Sequence, residues 1–167
     1  MSDARLIPRK SIVLFSPGSL GVSYAWDASG KPYFKEASIM PKAGTVDTGG
    51  YLSVGPQTEK LDPAHQLKLH AFHSRDWSVF SDKMATEFNQ PDPTSWMICY
   101  QGAVAGGPAN PWFRVAVQIT DLGQFGGAKN TPSEMQITLP IEGQIWISRT
   151  VTVAGTPPAD NTFAIYL

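Results

Sequence analysis

"PWFRVAVQITD", residues 111–121, decides how the chain is read. Its apolar residues Phe113, Val115, Val117 and Ile119 alternate with Arg114, Ala116, Gln118 and Thr120. On an extended backbone every second side chain points the same way, so one face of this segment meets a core and the other stays polar. A helix would scatter the same residues around its circumference.

The pattern extends outward from there. "GQIWISRTVTV", residues 143–153, sets Ile145, Ile147, Val151 and Val153 on one side and Trp146, Ser148, Thr150 and Thr152 on the other, with Arg149 interrupting the apolar side. Shorter candidate strands fall at residues 11–15, 22–26, 66–72, 96–101, 135–139 and 163–167, each bounded by Gly, Pro, Asn or Asp. Short strands at such spacing predict a mainly β chain, an antiparallel β-sandwich or barrel-like domain, and not a βα alternation. "SRDWSVFSDKMATEFNQP" predicts one flanking α-helix over about 75–89. Ser74 or Asp76 would cap it, Trp77, Phe80, Met84 and Phe88 form its apolar stripe, and Pro91 ends it. Residues 38–62, "SIMPKAGTVDTGGYLSVGPQTEKLD", are rich in Gly and Pro, with at most a short strand at 51–54. A structureless stretch this long is usually functional or ordered by a partner, so a long loop or an extended hairpin against a neighbouring subunit is expected.

A chain of 167 residues fits one domain, residues 1–167, and buries roughly 70% of the surface its unfolded form exposes. Charged residues make up 16%, against the roughly 25% usual for soluble domains, as if part of the surface faced protein. A net charge of -1 argues against a general electrostatic hold on nucleic acid and does little to oppose self-association. Cys99, the single cysteine, excludes an intrachain disulfide and sits in "WMICY" as a core thiol. No apolar run reaches a membrane span or a secretory core, so a soluble chain with no membrane partner is expected.

Four motifs suggest chemistry and fail on their spacing. "GQFGGAKNT", residues 123–131, resembles a phosphate-binding loop. An alanine separates Gly127 from Lys129, Asn130 stands where a hydroxyl residue is needed, and Pro132 leads into a strand and not the helix that would meet phosphate. His65, His70 and His73, near Asp62 and Asp76, lack any metal-ligand spacing, and on a strand His70 and His73 point to opposite faces. No serine sits in a nucleophile elbow, and Glu134 and Glu142, each read beside a turn, could act as a glycosidase pair only if folded face to face. The aromatics Trp26, Tyr33, Tyr51, Trp96, Tyr100, Trp112 and Trp146 could stack on sugars or anchor interfaces, although most fit a core. The expectation is a chain without catalytic residues, cofactor or metal.

The order of the C-terminal half is a helix, "SWMICYQG", "PWFRVAVQITDLG", a Gly-rich connection, "SEMQITLPIEG" and "QIWISRTVTVAGTP". This resembles the major tail tube protein of long-tailed bacteriophages, through residues 115–123, 134–143 and 150–157. The resemblance implies a virion structural protein: hexameric rings with joined sheets, stacked into a tube that conducts DNA. Its partners would be copies of itself, a tape-measure protein, and the tail terminator and distal tail proteins, with DNA passing without specific contact. It would be assembled in the host cytoplasm and reside in the tail of the virion. Residues 38–62 would then meet the next ring through Lys42, Asp47, Tyr51 and Glu59, and Gln118, Thr120, Gln136 and Thr138 would line the lumen. Two features depart from the pattern: Arg114 and Lys68 fall on polar faces where an acidic lining is expected, and "FAIYL" at the end has no counterpart. A capsid decoration or head-tail joining protein is the alternative, and a carbohydrate-binding β-sandwich module the third reading.

Overall fold

The computed structural model describes residues 12–16, 24–27, 34–50, 55, 57–72, 81–99, 104–131 and 133–167. Its strands are β1 (Ile12–Ser16), β2 (Tyr24–Asp27), β3 (Phe34–Met40), β4 (Ala43–Asp47), β5 (Thr58–Pro63), β6 (Gln66–Phe72), β7 (Thr94–Cys99), β8 (Trp112–Val117), β9 (Glu134–Ser148) and β10 (Ala164–Ile165). One helix, α1 (Ser81–Phe88), lies between β6 and β7. The chain is mainly β, as the alternation predicts. An eight-stranded antiparallel sheet runs β2-β1-β7-β8-β9-β6-β3, with β10 added on β9, and curls into an open half-barrel. β4 and β5 pair only with each other in a separate two-stranded sheet.

β9 organises this sheet. Sequence reading separates residues 135–139 from 143–153 by a turn at "PIEGQ"; the structure instead runs one strand of 15 residues through it. The first half of β9 pairs with β6, from Gln66 opposite Pro140 to Phe72 opposite Glu134. The second half pairs with β8, from Trp112 opposite Ser148 to Val117 opposite Ile141. Ile141 N–H donates to the His65 carbonyl and Ile145 N–H to the Leu167 carbonyl, which places β6 and β10 in succession along one edge and β8 along the other. Pro140 is tolerated inside so long a strand because β8 has just ended beside it. No ladder partner there needs its missing N–H, and its carbonyl still accepts from Gln118 N–H at 3.3 Å.

Between the partners of Arg114 and Ala116, β9 advances four residues, from Trp146 to Glu142, while β8 advances two. The two extra residues are taken up in a bulge at Gly143, whose φ is +73°. An even insertion preserves the inward parity: Met135, Ile137, Leu139 and Ile141 are buried before it, and Ile145 and Ile147 after it. An odd insertion would have turned half of the strand inside out.

Met135, Ile137, Leu139, Ile141 and Ile145 form the core with Leu67, Leu69 and Ala71 of β6, Val115 and Val117 of β8, Ile119, and Met84 of α1. Ala37 and Ile39 of β3 and Leu122 pack on its margin. The helix stripe is only partly realised: Met84 is buried, but Phe88 is 47% exposed. Its predicted beginning, with Ser74, Asp76, Trp77 and Phe80, lies outside the described residues, as do Tyr33, Tyr51, His73, Tyr100 and the expected strand at 51–54. The side chains of Trp26, Trp96 and Cys99 are likewise outside what is described.

Two expectations need correction, for Val151 and Val153 and for residues 38–40, and the fold gives Trp112 its own place. Val151 and Val153 are not core residues; β9 ends at Ser148, and both valines are about three-quarters exposed. Residues 38–40, read as the start of the 38–62 loop, instead complete β3 with the unassigned residues 34–37, an edge strand whose half-exposed pattern carries little periodic signal. Trp112 is fully buried but lies outside the main core. It stands one residue out of phase with Val115 and Val117, and it packs beneath Gly106, which bridges to Thr152.

Replacing Gly143 by valine, which cannot adopt φ near +73° without strain, is expected to cost about 1–2 kcal/mol in chemical denaturation. Gly127→Ala, where an added Cβ meets only the Ser133 Cα at 3.9 Å, should leave the midpoint nearly unchanged.

Candidate assembly interface

Three surfaces remain once the core is closed. The first is the β4–β5 hairpin. Every residue of β5 is exposed, and in β4 only Gly44 is even half-covered. Thr45, Val46 and Asp47 pair with Lys60, Glu59 and Thr58. The hairpin predicted as one form of residues 38–62 is thus present, and it projects from the body as an arm. Val46 and Leu61 are 42% and 53% exposed on it. A two-stranded ribbon is marginal in water by itself, so its own ladder does little to hold it.

The candidate contact residues occupy different parts of this arm. Lys42 lies at its root: its N–H donates to His65 Nδ1 at 3.0 Å, its carbonyl accepts from Ala64 N–H at 2.9 Å, and its Nζ donates to Gln66 Oε1 at 3.2 Å. Asp47 closes β4, where its Oδ1 accepts from Gly49 N–H at 2.8 Å and shapes the turn. Glu59 stands exposed across from Val46. Tyr51 lies outside the described residues.

The second surface is the outer face of β3, β6, β9 and β8. Residues opposed in an antiparallel ladder share a face, so the pairs Ser38 with Lys68, Lys68 with Thr138, Glu36 with His70, and His70 with Gln136 define one polar strip. Gln136 and Thr138 are exposed on it. Gln118 is half-buried at the far side of β9, its Nε2 donating to the Pro91 carbonyl at 3.1 Å. Thr120 is exposed beyond the end of β8. The four candidate lumen residues therefore fall on the polar side of the sheet, with Gln136 and Thr138 adjacent and the other two displaced past the strand end.

Charge on this strip is internally paired, which sequence alone could not reveal. Lys68 Nζ lies 3.3 Å from Glu36 Oε2. Glu134 accepts from Lys35 Nζ and from His70 Nε2, the latter at 2.7 Å. His70 thus has a partner on β9, and Glu134 is a strand residue tying β3, β6 and β9 together. The hydrogen bond from Lys35, then that from His70, hold the Glu134 carboxyl below its ordinary value, while partial burial opposes them. Arg114 does not project freely either. Its guanidinium lies 4.6 Å from the Phe163 ring centre and 5.7 Å from that of Trp146, and Nη1 reaches Asp160 at 3.3 Å. Its signal was the intervening aromatic at position 146, but only the return of residues 160–163 over β8 and β9 completes the stack. Among the described residues no three His, Cys, Asp or Glu converge as a metal site, and no helix is long and apolar enough to cross a membrane.

The third surface is the pair of sheet edges. β2 and β3 end the strand order, and among the described residues nothing pairs with their outer sides. Such edges carry unpaired N–H and C=O groups that another chain can satisfy. The Gly-rich connection, residues 123–131, belongs to neither edge. It links β8 to β9, with Gly123 at φ +71° pressed so closely on β9 that an added Cβ would stand 2.9 Å from Met135 Cγ. No helix follows it, so the backbone N–H convergence that phosphate binding needs is missing.

No protein-family model matches the chain, and no curated protein matches it. Among solved structures, a chain of the anti-feeding prophage baseplate, determined by cryo-electron microscopy with six-fold symmetry, is similar at a TM-score of 0.47 and 9% identity. The match covers 88% of this chain and 97% of that one. A likeness at this level is too slight to define a shared fold.

The Glu134 cluster has a pH signature. A carboxyl held below its ordinary value of 4.5 when folded contributes stability that is present above that value and is lost as pH falls through the lower folded value. Glu134→Gln should remove that acid-side loss, so urea midpoints of wild type and variant should converge as the pH falls below 4.5. The effect is expected to be small because the pair is exposed. A constant gap between the two proteins from neutral to acid would show that the cluster is not linked to folding.

Proposed function

We propose that the chain is a self-assembling structural subunit of a phage-type tail, and specifically a tube subunit without catalytic activity. The observation that carries the reading is the β4–β5 arm, a two-stranded ribbon whose described residues are exposed and which is tied to the sheet at its root. A ribbon so poorly supported gains most from lying on another subunit. The open edges of β2 and β3 support the same reading, because pairing between neighbours satisfies their backbone groups and ring closure removes both edges together. In this arrangement sheet edges join subunits within a ring, and the arm reaches the ring above or below.

The polar strip suits a conduit. Its ammonium groups at Lys35 and Lys68 are engaged by Glu134 and Glu36, leaving Gln136 and Thr138 as neutral polar neighbours. DNA sliding past such a surface would meet few cations able to grip phosphate, and strong phosphate contacts would impede its passage. The partners in this reading are further copies of the chain, a tape-measure protein within the tube and the terminator and distal proteins at its ends, all within the virion tail.

The test is negative-stain microscopy of the purified chain at high concentration, beside a variant in which residues 45–60 are replaced by an Asn-Gly turn. Stacked rings or tubes are expected for the wild type. The variant should keep its far-ultraviolet spectrum and form single rings at most. A persistent monomer, or a trimer that decorates a capsid lattice, would overturn the tube reading, and tubes from the shortened variant would overturn the role of the arm.

A further inference from the structure

The root of the arm holds a histidine whose environment no other part of the fold explains. His65 is only 7% exposed, although both hairpin strands beside it are open to solvent. Its backbone is anchored to the sheet, its carbonyl accepting from Ile141 N–H at 2.9 Å. Its ring is anchored to the other leg of the arm, with Nδ1 accepting from Lys42 N–H at 3.0 Å. One residue, through its carbonyl and its ring, therefore links the two legs at the point where the chain meets β9. The remaining ties across the root are Ala64 N–H to the Lys42 carbonyl and the exposed contact from Lys42 Nζ to Gln66.

An amide N–H pointing at Nδ1 requires a lone pair there, so the neutral ring carries its proton on Nε2. Nε2 is buried and meets no acceptor among the described residues. A second proton would have to enter at Nδ1, turning the acceptor into a donor that faces the Lys42 N–H. Both contacts of the ring would then be donors without acceptors in a buried site. The charged groups around the ring add to this. Lys42 and Lys60 line the same groove of about 470 Å³ as His65, together with Leu61 and Leu167. Asp62 on β5 and Glu142 on β9 are exposed, and neither forms an ion pair with His65.

We propose that His65 is a protonation-sensitive latch: the neutral imidazole docks the hairpin arm on the sheet, and the imidazolium releases it. The release is local, because the core of β6, β8 and β9 has its own ladder and apolar packing. The latch does not depend on what the arm meets, so its test stands apart from the test of assembly.

The experiment follows amide protection of residues 42–48 and 57–64 in the dilute full-length chain between about pH 7.5 and 5.5, the range in which imidazoles ordinarily titrate. Protection of the arm relative to β8 and β9 should fall as the pH is lowered, by up to roughly tenfold per pH unit, the slope of a single linked proton. His65→Gln, which can offer an uncharged acceptor to Lys42 N–H, should hold the arm equally at both ends of the range. His70→Gln should leave the wild-type response in place. Unchanged arm protection in the wild type, or a response that persists in His65→Gln, would overturn the latch. A second measurement needs no variant: nitrogen-15 shifts of His65 at pH 7.5 should report the proton on Nε2, and a proton on Nδ1 would overturn the proposal.

Discussion

The whole sheet depends on β9 keeping one face inward over fifteen residues while serving three partners. β6, β8 and β10 each pair with part of it, and none pairs with all of it. That constraint explains why a proline and a left-handed glycine coexist within one strand. Pro140 sits where β8 gives way, so no partner misses its N–H, and Gly143 absorbs two residues without reversing the faces. Met135, Ile137, Leu139, Ile141 and Ile145 thereby share one core with Leu67, Leu69, Val115 and Val117.

With the inner face committed to the core, the outer face is left to electrostatics and to aromatic cover. Towards β3 it carries paired charges, Lys68 with Glu36 and Glu134 with Lys35 and His70. Towards the end of β9 it is roofed by the returning chain, which stacks Phe163 on Arg114 and joins Ser148 Oγ to Thr162 Oγ1 at 2.9 Å. The polar face is thus divided into an open strip and a closed satellite cluster. Among the described residues, the open strip, the arm beside it and the outer edges of β2 and β3 face outward.

The elements legible in the sequence were those whose side chains alternate against a wet surface. β6 was read to the residue, and β8 declared its inward face through Val115, Val117 and Ile119. β3 was missed because "FKEASIM" is an edge strand with a mixed outer face, and β9 was broken in two because Pro and Gly ordinarily mark turns. Both signals were local, and their outcome was set by which partner strand happened to stand alongside. The hairpin was foreseen as a possibility from length and Gly content, but its pairing of Val46 with Glu59 and its latch at His65 were not.

By itself the sequence determined the mainly β fold class and the inward face of the regular strands. Periodicity and turn chemistry act over a few residues, so one chain is enough to read them. The tertiary structure alone decided the partners: His70 with Glu134 across 64 positions, Lys35 with Glu134 across 99, and His65 with the amide of Lys42. Such contacts are set by strand register, and register is a property of two segments together, which no single segment encodes.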